Sequence, residues 1–254
     1  MEENRTPDAP EIRVRKNRFL LWLDNVWYHY KWGILITLFF VIMLTVCISQ
    51  CAVKENYDVY YMYAGDYEVG MTSDNGGIPE NVTIAQVLGG ITPDRNKDGK
   101  ASPSFLPLFY LTDRQIADKN AALKEEGSSE EVNITLIRQN NDTLRSNLLL
   151  SDYYICFLSP AAYEEAKGLL GEGGFADLAA YTGDTTTAAF YDTGAVKLSS
   201  LPIGSQPGLS NLPEDTLVCL RTLSEVATHT DKKRNTEVFA AAEEALRALF
   251  AFGQ

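Results

Sequence analysis

The densest cluster of ligand-type side chains is Asp94-Arg95-Asn96-Lys97-Asp98-Gly99-Lys100. Its spacing matches the opening of a D-x-[DN]-x-[DN]-G calcium loop. In such a loop Asp94, Asn96 and Asp98 aim oxygens at one point, Gly99 permits a sharp turn, and the Lys100 carbonyl adds a ligand. The pattern then departs from the calcium loop. Its twelfth position, where a bidentate Glu belongs, is Phe105; Pro103 lies inside the loop; and Arg95, Lys97 and Lys100 offset the negative charge. Two readings stay open. One is a weak calcium site of the extracellular kind, with a Kd of about 10⁻⁴–10⁻³ M. The other is an Asp/Asn/Gly turn held by its own side chains.

Other chemistry is thinly supplied. Histidine occurs only at His29 and His229, and His229 sits in a polar, Thr-rich stretch (ATHTDKKRN) that suits a solvated loop better than a nucleophile–base pair. Cys156 and Cys219 each lie in an apolar, strand-like run, YYICFL and TLVCL; buried free thiols are the preferred reading and a disulfide is the alternative. The acid pairs Glu125/Glu126, Glu164/Glu165 and Glu243/Glu244 stand side by side on helical segments, and nothing marks one member as acid and the other as base. Gly76-Gly77 and Gly171 to Gly174 have neither the strand-to-helix context nor the spacing of a phosphate-binding loop, and are read as turns. Asn81, Asn133 and Asn141 each begin an N-x-T sequon, which matters only in a glycosylating pathway.

These residues have to be positioned by a chain of 254 residues with one concentrated apolar segment. Trp32 to Val53 (WGILITLFFVIMLTVCISQCAV) carries no charge and, as a helix, reaches about 33 Å, enough to cross a hydrocarbon core. Arg13, Arg15, Lys16, Arg18 and Lys31 precede it, whereas Lys54 is followed by Glu55, Asp58 and Asp66. Retention of bases on the cytoplasmic side puts the N-terminus inside and the bulk of the chain outside. The long polar lead before the span, and no A-x-A-like site after it, favour an uncleaved anchor over a signal peptide. Residues 1–32 carry six bases and five acids, so of the chain's net −12 the remainder holds −13. A domain that acidic is repelled by nucleic acid and by anionic headgroups, and suits cations or small solutes better.

The expected order is a disordered tail over 1–11, an amphipathic juxtamembrane helix over 12–31, the span over 32–53 and an extracytoplasmic domain over 54–254. Trp22, Trp27, Tyr28, Tyr30 and Trp32 place aromatic rings at headgroup level. Within the outer domain, Tyr57 to Tyr63 predicts a first strand, Thr83 to Leu88 a short helix, residues 91–104 a loop and Thr112 to Glu126 a polar helix. Val132 to Ile137 alternates as a strand, after which Asn141 or Asp142 caps a helix running through Leu150. Asp152 to Leu158 reads as a buried strand, and Ser159-Pro160 opens a helix to Leu170. Residues 188–198 read as strand, turn, strand, Thr216 to Arg221 as a further strand, and Glu237 to Phe252 as a closing amphipathic helix. Strands alternating with helices give an α/β domain with a mixed sheet.

The run Thr143 to Pro160 (TLRSNLLLSDYYICFLSP) resembles a segment of bacterial extracellular solute-binding proteins, with Ser151 where that family has a Gly before the Asp. Trp27-Tyr28-His29-Tyr30-Lys31-Trp32, together with Asn211 to Thr216 before a strand, resembles single-pass proteins of Gram-positive bacteria that pair an anchor with a binding-protein-like outer domain. The resemblance covers about a third of the chain. It implies an α/β lobe like that of a solute-binding protein and brings no ligand residues with it. The resulting expectation is a membrane-anchored binding or interaction domain of the bacterial cell envelope, with a small solute or an envelope protein as partner and no cofactor beyond weak calcium. The alternatives are a scaffold subunit that binds no solute and, third, a carboxylate-dependent hydrolase of envelope polymers.

Overall fold

The computed structural model describes residues 18–52, 57–71, 77–127, 131–182, 189–223 and 232–253, so the expected tail and residues 12–17 fall outside it. The chain divides into two compact units, Met1–Glu55 and Asn56–Gln254.

Among its described residues the first unit is one helix, α1, Arg18–Ala52. It runs without a break through the expected junction at 31/32, because neither Pro nor a Gly pair interrupts it there. Its 23-residue stretch Asn25–Cys47 is long and apolar enough to cross a membrane. Large side chains such as Ile36, Phe40, Ile42 and Leu44 are exposed all round it, the signature of a helix whose apolar surface is not consumed by its own fold.

Among the described residues of the second unit, six strands form one mixed sheet of order β2-β1-β3-β6-β5-β4. β1 is Val59–Gly65, β2 Pro103–Phe109, β3 Tyr153–Leu158, β4 Phe190–Asp192, β5 Ala195–Lys197 and β6 Leu217–Leu220. β1 pairs in parallel with β2 and with β3, and from β3 outward the pairing is antiparallel. Side-chain alternation along β1 splits the core in two. Tyr61 and Tyr63 join the layer under α2 (Glu80–Gly89) and α7 (Lys232–Phe250), which contribute Ile84, Leu88, Val238, Leu246 and Leu249. Met62 and Ala64 join the layer under α4 (Ile134–Leu150) and α5 (Pro160–Leu170), with Leu144, Leu148, Ala162 and Ala166. A strand covered on both faces must be apolar at every position, which is why β1 and β3 read as continuous apolar runs.

Local chemistry sets several boundaries. Thr112 and Gln115 form a capping box at the start of α3, Asp113–Glu125. Ser159 accepts from the Ala162 N–H, with Pro160 in the first turn of α5. α6 is a single turn, Ala179–Thr182, and three 3-10 turns between Leu198 and Asn211 lead into β6.

The structure corrects the sequence reading in three places. Residues 103–109, left partly as loop, form β2; Pro103 and Pro107 mask the pattern, and an edge strand tolerates them because its outward N–H groups need no partner. Val132 to Ile137 is not a strand. Asn133 caps α4 by accepting from the Leu136 N–H, and Ile137, Leu144 and Leu148 are buried at helical spacing. Asn141 and Asp142 accordingly lie inside the helix, not at its start. The closing helix begins at Lys232, a turn and a half before Glu237.

Candidate functional site

The predicted ligand set, Asp94, Asn96, Asp98 and Lys100, does form one tight loop, and it is largely exposed. Its oxygens turn onto the loop's own backbone. Asp94 accepts the N–H of Asp98 (3.2 Å) and of Gly99 (2.8 Å). Asn96 Oδ1 accepts the Asp98 N–H at 2.9 Å, and Asp98 Oδ1 accepts the Lys100 N–H at 2.8 Å. The Asn96 amide also donates to Asp98 Oδ2 at 3.1 Å. The twelfth position, Phe105, pairs with Tyr61 inside the sheet, so no carboxylate arrives from that side. Among the described residues, no group of three or more His, Cys, Asp or Glu side chains is arranged to hold a metal ion.

The residue that anchors this loop carried no signal of its own in the sequence. Asp58 is fully buried; its Oδ1 accepts the Asn96 N–H (3.0 Å) and its Oδ2 the Ser102 N–H (2.9 Å). Arg95 reaches back to the carbonyls of Asp58 and Tyr57 at 3.2 and 2.8 Å. One carboxylate thus fastens both ends of the turn to the start of β1.

The parallel part of the sheet has a topological switch point. β1 leads into α2 on one face and the neighbouring β3 leads into α5 on the other, and such a reversal opens a crevice at the carboxyl ends of the strands. Gly65-Asp66 and Ser159-Pro160 border it, tied by the Ser159 N–H to the Ala64 carbonyl at 2.9 Å. Beside it, Glu80 accepts from Tyr67 Oη (3.0 Å), the Gly70 N–H (2.9 Å) and the Asn211 amide (2.8 Å). These bonds hold the segment after β1 to the start of α2 and to Asn211.

A cleft of about 520 Å³ lies toward the opposite end of the sheet, where α5 finishes. Tyr163, Lys167 and Gly168 of α5 form one side, the Gly171–Phe175 segment the second, and the β4–β5 turn, Asp192 to Gly194, the third. Its charged centre is an ion pair, Lys167 Nζ to Asp192 Oδ2, at 2.8 Å. Tyr163 Oη and the Gly194 N–H donate to Asp192 Oδ1 at 2.8 and 2.9 Å. Burial alone would raise the Asp192 carboxyl, but the bonds from Lys167, Tyr163 and Gly194 outweigh it and hold the group below its ordinary value. The hydrogen bond to Asp192 conversely raises the Lys167 ammonium, and burial followed by the same carboxylate raises the Tyr163 phenol. The pair is therefore charged across the neutral range.

Sequence reasoning treated Gly171 to Gly174 as a plain turn and gave Lys167 and Asp192 no role. They lie 25 residues apart, and only the docking of the β4–β5 hairpin against α5 joins them.

The remaining candidates disperse. Glu165 accepts from Tyr110 Oη and pairs with Arg145 at 2.7 Å, Glu164 receives Tyr191 Oη at 3.4 Å, and Glu243 receives Tyr181 Oη at 2.5 Å. Glu164 and Glu165 are thus occupied separately, by different partners. Cys156 and Cys219 are buried free thiols in direct cross-strand register between β3 and β6, and burial pushes the Cys219 thiol up. His229 lies outside the described residues. No protein family, no curated protein and no solved structure matches the chain.

Proposed function

We propose that the chain is a membrane-anchored extracytoplasmic binding domain of a bacterial cell envelope, with its N-terminus in the cytoplasm and an outer α/β domain akin to one lobe of a solute-binding protein. The observation that carries this reading is α1: a long helix with apolar residues exposed on every side, set ahead of a separately folded α/β unit. The excess of bases before the span over those just after it supports the orientation. The switch point of the sheet and the open cleft beside α5 support binding, and Glu164, Glu165 and Glu243 are each engaged by a Tyr or Arg side chain.

The test is the sidedness of the full-length chain carrying a C-terminal epitope, expressed in a Gram-positive host. After cell-wall digestion, protease added to intact protoplasts should remove the epitope while leaving a cytoplasmic marker whole. Protection of the epitope until detergent is added would overturn the proposal.

The scaffold alternative draws on one feature, the exposed Leu149 and Leu150 at the end of α4, 43% and 77% accessible. Comigration of the solubilised chain with a stoichiometric partner on a native gel would favour it; migration as a single species would not.

A further inference from the structure

We infer that the cleft between α5 and the β4–β5 turn is a binding site for a neutral, hydroxyl-rich ring, that is, a sugar. The inference deepens the binding-domain reading and rests on it.

The polar tie of Tyr163, Lys167 and Asp192 by itself only pins the hairpin to the helix. It does not account for the bare walls. Gly168 sits inside α5, where glycine is a poor helix former, and a Cβ built there meets nothing within 4 Å. Packing does not call for a glycine at that position, which borders the cleft. Gly171 and Gly173 are likewise open, both at positive φ (75° and 77°), so that main chain is bare at those two positions of the wall, between which Glu172 stands and beyond which Phe175 supplies a ring. A cleft of about 520 Å³ whose walls are bare at these glycines admits a ring in close approach to the main chain there.

The charges decide the ligand class. Lys167 and Asp192 stand 2.8 Å apart, and their side chains are 51% and 27% exposed. Glu172 adds an exposed carboxylate on the adjacent wall. A lone anion drawn to Lys167 meets both carboxylates, and a lone cation drawn to Asp192 meets Lys167 at its side. A hydroxyl group both donates and accepts, so it uses the two members together without parting them. Vicinal hydroxyls on a ring offer two such groups at adjacent positions.

The experiment is isothermal titration calorimetry of the full-length chain in detergent with galactose, glucose and N-acetylglucosamine, and with sodium acetate and methylammonium chloride as charged controls. At least one of the sugars should give saturable heat and neither control should. Gly168→Leu, which fills the space without touching a polar group, should weaken binding at least tenfold while its thermal melt stays cooperative. Asp192→Asn should weaken it by a similar factor. No heat from any sugar, or sugar binding indifferent to Gly168→Leu, would overturn the inference. Should Gly168→Leu fail to fold, Asp192→Asn decides alone: unchanged affinity overturns the site. Sidedness is measured separately. An outward domain that binds no sugar leaves the proposed function standing without this ligand, whereas sugar binding by an inward-facing domain removes the envelope location and keeps the cleft.

Discussion

The Asp94–Lys100 loop and the Gly168–Asp192 cleft are built from the same stock of Asp, Lys and Gly, and they end in opposite conditions. In the loop, residues two to five apart turn their oxygens onto the segment's own backbone N–H groups, and it closes on itself. In the cleft, one aspartate and one lysine brought from separate elements satisfy each other while glycines hold a volume open beside them. The comparison teaches that a run of ligand-type residues close in sequence is able to satisfy itself locally, whereas a site needs groups that tertiary structure assembles around space.

The largest test of this contrast is Asp58→Ala. It strands two backbone N–H groups beneath the loop, each having lost a bond to a carboxylate, and should cost about 3 kcal/mol. That is a fall of about 6–12 °C in the melting midpoint for a domain of this size. A fall of a degree or less would mean that the loop stands without its anchor.

Asp192→Asn comes next, with an expected loss of about 1.5 kcal/mol at neutral pH from the weakened charged bonds. Because the Asp192 carboxyl is held low in the fold, its contribution is complete above the unfolded value of about 4 and drains away as pH falls through the folded value. Melts of the two proteins should therefore differ most above about pH 4 and converge in more acid solution. A gap that persists at the acid end would assign the loss to packing.

Gly168→Ala should act in the other direction. With no atom near its new methyl group, it should stabilise the domain by about 0.5–1 kcal/mol through helix propensity. A destabilised variant would show the helix already crowded there. The smallest expected effect is that of calcium: at 1 mM it should leave the midpoint within about a degree of that in EDTA. A shift of several degrees, abolished in Asp94→Ala and Asp98→Ala, would instead make the loop an ion site and erase the contrast.

Much of the fold was legible in the sequence because its strongest signals are local. Tyr57 to Tyr63 and Asp152 to Leu158 are apolar at nearly every position, as strands covered on both faces must be. Thr112 and Ser159-Pro160 mark helix starts by groups that bond within three residues. Val132 to Ile137 misled because six residues of alternation satisfy a strand, while the burial of Ile137, Leu144 and Leu148 that makes it a helix emerges only over three turns. β2 hid behind its prolines. The cleft was invisible for a different reason: neither Lys167 nor Asp192 carries a local pattern, and the glycines that shape it read equally well as punctuation. The one signal on offer was Gly168, an unforced glycine within an otherwise good helix.

The prolines of β2 have a consequence beyond register. Pro103 and Pro107 share parity on the outermost parallel strand, so both missing N–H groups belong to the side turned away from β1. A visiting strand from another copy would find half-blank hydrogen-bonding along that margin, and at the far margin β4 offers only three residues. The sheet is insulated at both borders. Copies of the domain crowded together should stay individually folded and not zip into a shared ribbon.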